Sequence, residues 1–101
     1  MLLRGKTAVI TGSNRGIGFE TLNLFVEHGC NVYACHRSSN NNFFDSIEKL
    51  KSKFNTKIKE INLDLSNLDS VNAAINQIKL DENNIDCIVN NAGEIHNKLF
   101  Q

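Results

Sequence analysis

The sequence has no excess of charge of either sign. Lysine and arginine together number 11, aspartate and glutamate also number 11, and the formal net charge is zero. A balanced chain has no overall attraction to nucleic acid or to an anionic membrane surface, so neither is expected as a partner. The densest basic stretch, Glu48–Glu60, alternates its lysines with apolar residues, which is typical of a solvated helix face.

The sequence also lacks a long apolar run. No stretch is long enough to span a bilayer, and Arg4 and Lys6 interrupt the N-terminal segment where a secretory signal would need its apolar region. No membrane span and no signal peptide are therefore expected. Together with the cysteine usage described next, this predicts a cytoplasmic protein.

Disulfide and zinc motifs are missing as well. Cys30, Cys35 and Cys87 make an odd number, and no Cys-x-x-Cys pair occurs. This usage is typical of a reducing compartment in which thiols stay free and mostly buried. His28 and His36 lie near two of the cysteines, but their spacing fits no standard zinc site, so no metal is expected.

What the sequence does contain is a regular alternation of strand-like and helical stretches. Such βαβ units predict a single α/β domain over residues 1–101, a truncated doubly wound parallel sheet of the Rossmann-like kind with strand order 3-2-1-4. Right-handed crossovers would put the first two helices on one face and the third on the other. The expected strands are Thr7–Thr11, Asn31–Cys35, Lys57–Leu65 and Asp86–Val89.

Apolar residues recur at helical spacing in the three connections between these strands. The first helix is expected from about Gly16 to a stop at Gly29, and the second after the polar loop Ser38–Asn42. Ser66 and Asp69 resemble a capping box for the third. The apolar stripes expected to face the sheet are Ile17, Thr21, Leu24, Phe25 and His28; Phe43, Ile47, Leu50 and Phe54; and Leu68, Val71, Ile75 and Ile78.

A glycine-rich loop, "TGSNRGIG" over Thr11–Gly18, joins the first strand to the first helix. An open parallel sheet binds its ligands at this edge, where the helix start offers free N–H groups and the positive end of its dipole. Glycine lets the backbone turn sharply and approach a pyrophosphate closely. A tight turn that needs glycine only for packing is the alternative, and the loop by itself leaves it open.

Three motifs in this order resemble the short-chain dehydrogenases/reductases. They are the spacing of Thr11–Gly18, the "LDL" of Leu63–Leu65 at the end of the third strand, and the "NNAG" of Asn90–Gly93 at the end of the fourth. The likeness is to the ordinary rather than the extended branch, with the 3-oxoacyl-carrier-protein reductase type as the nearest pattern. It covers the whole chain and implies a nicotinamide dinucleotide as cofactor.

The resemblance also implies roles for individual residues. Gly12 would make the turn, Gly16 and Gly18 would allow close approach and helix packing, and the Ile17 backbone would face the pyrophosphate. From the residue alone, Asp64 could equally be a solvated turn residue or a helix cap. The other implied contacts are Ser13, Asn14 and Arg15 at the adenosine ribose, Asp64 and Leu65 at the adenine, and Asn90, Ala92 and Gly93 along the cofactor, with Asn90 also bracing the central strands.

The end of the second strand bears on the choice of cofactor. NAD sites place an acid there to bond the ribose 2′-hydroxyl, whereas this sequence has "ACHRSS", with Arg37 in that region and no acid before Asp45. A guanidinium pairs with a 2′-phosphate, so NADP(H) is expected in preference to NAD(H), with Arg15 as a second partner. Arg37 as an ordinary surface residue is the alternative, and the sequence does not decide whether His36 stacks or faces solvent.

The sequence does not contain the catalytic residues that the resemblance implies. The family uses a Tyr near a Lys as general acid and base, with a Ser and an Asn, all after the NNAG motif. Tyr33 is the single tyrosine, has Arg37 instead of Lys four residues on, and is expected to pack in the sheet. The chain is therefore expected to be the catalytically incomplete N-terminal part of a homo-oligomeric enzyme acting on a carbonyl or alcohol substrate. A non-catalytic nucleotide-binding or partner-binding module, or a remnant without function, stays open.

Overall fold

The structure, a computed structural model, describes residues 2–37, 41–81 and 84–91. Its centre is a four-stranded parallel sheet in the order β3-β2-β1-β4, which confirms the predicted order and fold class. The third strand is shorter than expected, because the chain turns at Asp64 instead of continuing to Leu65. The strands are β1 (Thr7–Thr11), β2 (Asn31–His36), β3 (Ile58–Asn62) and β4 (Cys87–Asn90).

Three helices connect the strands: α1 (Gly16–Glu27), α2 (Asn41–Phe54) and α3 (Leu68–Leu80). Asn41 and Asn42, expected in a loop, form the first turn of α2 instead. Among the described residues, no helix combines the length and the apolarity that crossing a bilayer requires.

The helices cover the two faces of the sheet as the crossover rule predicts. On one face, the β1 residues Ala8 and Ile10 belong to a core that includes side chains of α1 and α2. On the other face, Val9 belongs to a second core that includes Ala74 of α3. All five residues of β1 are buried, as expected for a central strand of a parallel sheet covered by helices.

The stripe expected for α1 is wrong in part: Phe25 does pack against the core, but the centre of the buried face lies elsewhere. The buried residues of this helix are Gly18, Leu22 and Val26, whereas Ile17 is 75% exposed and Leu24 is exposed too. The physical reason is that Gly18 packs directly on the backbone of Gly12, and this contact turns the face four and eight residues further on toward the sheet.

The stripe of α2 is confirmed, and that of α3 is partly wrong. Phe43 and Ile47 are buried, and Leu50 and Phe54 pack against them. In α3 the buried residue is Ala74, and Leu68 is 73% exposed. The stripe predicted for α3 used only the large residues, of which Ile78 packs against the core, but the small residue Ala74 is the buried one.

The capping box predicted for α3 is also wrong. The N-cap is Asn67, whose side chain accepts a hydrogen bond of 3.2 Å from the backbone N–H of Ser70. Ser66 lies one residue too early and bonds Asp64 instead, through its backbone N–H and its hydroxyl. Asn is as good a capping residue as Ser, so the residue types alone do not choose between the two starts.

The three thiols should differ in reactivity. Cys30 and Cys35 are each 1% exposed; burial raises the pKa of the Cys35 thiol to about 12 and raises the pKa of Cys30 as well. Cys87 is exposed on β4. We expect iodoacetamide to modify Cys87 at least about tenfold faster than Cys35 in the folded chain, because the accessible thiolate is the reactive species. Peptide mass spectrometry over time measures this.

The chain unfolded in guanidinium chloride is the control, in which all three cysteines should react at similar rates. Modification of Cys35 as fast as Cys87 under native conditions would contradict the buried position of β2.

Candidate nucleotide-binding site

The candidate site lies along one edge of the sheet, where its parallel strands end. The loop 12–15 leaves the end of β1, Arg37 follows β2, Asp64 follows β3, and Asn90 closes β4. The fold therefore brings together four segments that lie far apart in the sequence. Open α/β sheets bind ligands at this carboxyl edge.

The glycine loop depends on two features of its backbone. Gly12 and Gly16 have φ angles of +59° and +56°, in the left-handed region that other residues adopt at a cost. A Cβ on Gly18 would lie 1.9 Å from the Gly12 carbonyl oxygen, so the start of α1 packs on the loop with no space for a side chain. The second and third turns of α1 are buried against the sheet below this contact.

The first turn of α1 has open N–H groups. Its N-cap residue, Arg15, makes no side-chain capping hydrogen bond, and the first turn holds no acid. In α3, by contrast, Asn67 caps the helix and Asp69 lies in its first turn. An uncapped helix start without a nearby carboxylate keeps its positive dipole end available to an anion.

Ser13 faces inward and joins the loop to β2. Its backbone N–H and its hydroxyl both donate to the Cys35 carbonyl, at 3.0 and 2.9 Å, and its side chain is fully buried. Asn14 is half-buried and Arg15 is exposed. Of these three residues, Ser13 fixes the loop to β2, and only Asn14 and Arg15 reach the surface.

Arg37 and Asp64 lie close enough to affect each other. The Ser66 hydroxyl and backbone N–H donate to Asp64 Oδ1 at 2.6 and 3.0 Å and hold the pKa of that carboxyl below its usual value. The Arg37 guanidinium lowers the Asp64 pKa further. Asp64 thus forms a tight turn before α3 while its charge faces the exposed Arg37, and Leu65 beside it is partly exposed.

Asn90 links β4 to the central strand. Thr11 is paired with Asn90 across the sheet, and its hydroxyl donates to Asn90 Oδ1 at 2.8 Å. The Asn91 backbone N–H in turn donates to the Thr11 hydroxyl oxygen at 3.0 Å. The sequence analysis predicted no role for Thr11. The signal for this hydrogen bond was a hydroxyl residue at the end of β1, which aligns with the first Asn of the NNAG motif. Ala92 and Gly93 lie outside the described residues.

Two cavities lined by described residues lie at the opposite edge of the sheet. One, of about 310 Å³, is lined by residues that include Lys6, Phe25 and Cys87, and one of about 150 Å³ includes Tyr33 and Lys59. The Tyr33 hydroxyl donates to Asp81 Oδ2 at 2.9 Å, and its side chain is buried in the sheet, as the sequence predicted. This hydroxyl is therefore remote from the glycine loop.

The chain matches known proteins over the residues that form this edge. Residues 6–101 match the family profile of the short chain dehydrogenases. The chain belongs to this family. The match begins just before β1 and includes the glycine loop, Asp64 and Asn90, which together form the edge described above.

Curated relatives are similar in sequence to almost the whole of this chain. The chain is 39% identical over 93 residues to a WW domain-containing oxidoreductase of Drosophila melanogaster, covering 90% of this chain and 23% of the relative. It is 34% identical over 100 residues to a 3-oxoacyl-[acyl-carrier-protein] reductase of Chlamydia muridarum, covering 97% of this chain and 39% of the relative. The chain thus spans well under half the length of these short-chain dehydrogenases.

Solved structures of the family have the same fold over the part that matches. L-sorbose reductase from Gluconobacter frateurii, solved with NADPH and L-sorbose, matches with a TM-score of 0.79 at 29% identity, over 88% of this chain and 34% of that one. An NADPH-dependent 3-quinuclidinone reductase from Rhodotorula rubra matches with a TM-score of 0.74 at 32% identity, over 85% and 32% of the two chains.

Substituting Gly18 tests the contact on which this edge depends. We expect Gly18→Ala to lower the free energy of unfolding by about 1–3 kcal/mol, because its Cβ would overlap the Gly12 carbonyl oxygen and force the loop off α1. Urea unfolding followed by circular dichroism measures the change.

Ile17→Ala is the matched control, because it alters the adjacent residue of the same helix turn at an exposed position. It should change the free energy of unfolding by no more than about 0.5 kcal/mol. Equal effects of the two substitutions would refute the close packing of loop and helix.

Proposed function

We propose that this chain forms the NADP(H)-binding part of a short-chain dehydrogenase/reductase, an oxidoreductase that transfers hydride between a nicotinamide and a carbonyl or alcohol substrate. The observation that carries the proposal is the uncapped start of α1, which packs on the loop through the Gly12–Gly18 contact, with Arg37 after β2 at the same edge of the sheet. Membership of the family and the NADPH named for two structural relatives support it.

The residues present fit a dinucleotide. The space beside Gly16, where a side chain would project, is open, so the N–H groups of the first turn can approach a pyrophosphate closely. Asp64 and Leu65 follow β3 at this edge of the sheet, and we expect them to contact an adenine through a carboxylate oxygen and a backbone N–H respectively. When bound, the nicotinamide supplies hydride chemistry; the described residues bind and orient the nucleotide.

The charge at the end of β2 favours the phosphorylated nucleotide. Arg37 occupies the region at the end of β2 where an NAD site carries an acid, and its exposed guanidinium can pair bidentately with a 2′-phosphate. Arg15, exposed at the start of α1, can add a second positive charge. A cofactor without the phosphate gains nothing from either side chain.

No catalytic residue is assigned to the chain. Tyr33 is buried, and its hydroxyl is bonded to Asp81 at the edge away from the glycine loop. The carbonyl or alcohol substrate, the homo-oligomeric state and the cytoplasmic location are predictions for a protein as long as the relatives. The alternative function is a nucleotide-binding or partner-binding module without catalysis; a Ser and a Tyr-x-x-x-Lys motif encoded in frame downstream would argue against it.

Reversing the charge of Arg37 tests the cofactor preference. We expect Arg37→Asp to weaken NADPH binding by at least about tenfold, because one charge-assisted pair is lost and a repulsion is added. NADH binding should hold or improve, since a carboxylate at this place can accept from a ribose hydroxyl. Titration of the chain with each nucleotide, followed by nucleotide fluorescence, gives both dissociation constants.

Lys49→Asp is the control, because it makes the same charge change at an exposed position of α2. It should alter the ratio of the two dissociation constants by less than about twofold. An unchanged ratio in Arg37→Asp would refute the NADP(H) preference, and no binding of either nucleotide to the unaltered chain would refute the proposed binding function.

A further inference from the structure

Asp64, in the turn between β3 and α3, has one carboxylate oxygen bonded and one open. Its Oδ1 accepts two hydrogen bonds from Ser66, at 2.6 Å from the hydroxyl and at 3.0 Å from the backbone N–H. Its backbone is held as well, because its N–H donates to the Ser70 hydroxyl oxygen at 2.9 Å and its carbonyl accepts from the Asn67 N–H at 3.0 Å. Its Oδ2 accepts no hydrogen bond from the described residues, so this oxygen remains for a ligand.

The backbone N–H of the next residue, Leu65, is open too. It donates no hydrogen bond to the described residues. The turn therefore offers an acceptor and a donor in consecutive residues, at the edge where β3 ends. Adenine matches this pair, because its amino group donates and its ring N1 accepts, whereas hypoxanthine has a carbonyl oxygen and an N1–H instead.

The charge of Arg37 gives the Asp64 carboxylate a second direction in which to turn. The guanidinium is close enough to lower the pKa of Asp64, but the ion pairs among the described residues do not include one between these two side chains. A carboxylate without its Ser66 bonds would be drawn toward that positive charge. The Ser66 hydroxyl, which makes the shorter of the two bonds, opposes this rotation.

We propose that Ser66 is a positioning residue for base specificity, which holds Oδ1 of Asp64 so that Oδ2 accepts a hydrogen bond from the amino group of the adenine. This inference rests on the proposed function, since it concerns the same site. Ser66 does not itself touch the nucleotide; it acts through Asp64. A carboxylate held in one orientation distinguishes a donor from an acceptor, because it accepts hydrogen bonds and cannot donate them.

The test compares NADPH with its hypoxanthine analogue, in which a carbonyl oxygen replaces the amino group of the adenine. We expect the unaltered chain to bind NADPH at least about tenfold more tightly, because the analogue places an acceptor against the carboxylate. Ser66→Ala should reduce this preference about threefold by weakening NADPH. Ser66→Thr keeps the hydroxyl and should retain the preference. Titrations followed by nucleotide fluorescence give the dissociation constants.

Asp64→Ala tests whether Ser66 acts through the carboxylate. This variant should lose most of the preference for NADPH over the analogue. Adding Ser66→Ala to it should change the preference by less than about 1.5-fold, because the group that Ser66 positions is already absent. An effect of Ser66→Ala that persists in the Asp64→Ala background would overturn the inference.

Ser52→Ala is the matched control, because it makes the same substitution at an exposed position in the last turn of α2. It should leave both dissociation constants unchanged. Equal weakening of the two nucleotides by Ser66→Ala, or no preference for NADPH in the unaltered chain, would overturn the inference. Circular dichroism checks that each variant folds. If Ser66→Ala does not fold, Ser66→Cys decides in the same way, since a thiol is a weaker donor.

The proposed function fails separately from this inference. It fails if the unaltered chain binds neither NADPH nor NADH, or if Arg37→Asp leaves the ratio of their dissociation constants unchanged. If both results support the proposed function and Ser66→Ala behaves like Ser52→Ala, only the role given to Ser66 is refuted.

Discussion

Gly18 has no side chain, and the carbonyl oxygen of Gly12 occupies the space where its Cβ would lie. This backbone contact determines how close α1 comes to the end of β1. It also determines which face of the helix meets the sheet, because Leu22 and Val26 follow Gly18 at intervals of four residues and are fully buried. The same contact leaves the first turn of α1 open at the surface. The packing of the core and the exposure of the uncapped helix start therefore have one cause.

The end of β2 is the second point on which the site depends. Three hydrogen-bond acceptors lie here. The Cys35 carbonyl accepts from the N–H and the hydroxyl of Ser13 in the glycine loop, and the His36 carbonyl accepts from the Leu63 N–H. The Glu60 carboxylate accepts from the His36 ring. The loop after β1 and the turn after β3 are thus both joined to the residues just before Arg37. An error in the position of this strand end would displace every group proposed to contact the adenosine half of the nucleotide.

Membership of the short-chain dehydrogenase family indicates a ligand for this edge of the sheet, which the fold by itself does not. Many proteins with unrelated activities use doubly wound sheets, so the strand order alone does not identify a ligand. Here the family membership, the uncapped helix start and the basic residue after β2 agree on a nicotinamide dinucleotide. The solved relatives named as NADPH-dependent or NADPH-bound agree with that proposal over the part of their length that this chain matches.

Much of the fold could be predicted because β1 and β2 consist of short runs of buried residues between clear glycine and polar breaks, and the crossover rule then fixes the faces. The buried face of α1 could not be predicted, since the periodicity favoured the large residues Ile17 and Leu24. The residue that sets this face is Gly18, which packs closely because it has no side chain. Ala74 was missed in α3 for a related reason. The start of α3 was placed wrongly because Ser66 and Asn67 are both good caps, and only the turn at Asp64 decides between them.

The sequence by itself determined the alternation of elements, the glycine loop and the positive charge after β2, because each of these depends on residues close together in the chain. The strand order then followed from that alternation and the rules for doubly wound sheets. Only the tertiary structure decided that the Ser13 hydroxyl faces inward, that Thr11 bonds Asn90, and that His36 is buried against Glu60. These contacts join residues from 22 to 79 positions apart. Such contacts depend on strand register and on which way each side chain faces, and neither is set until the sheet has formed.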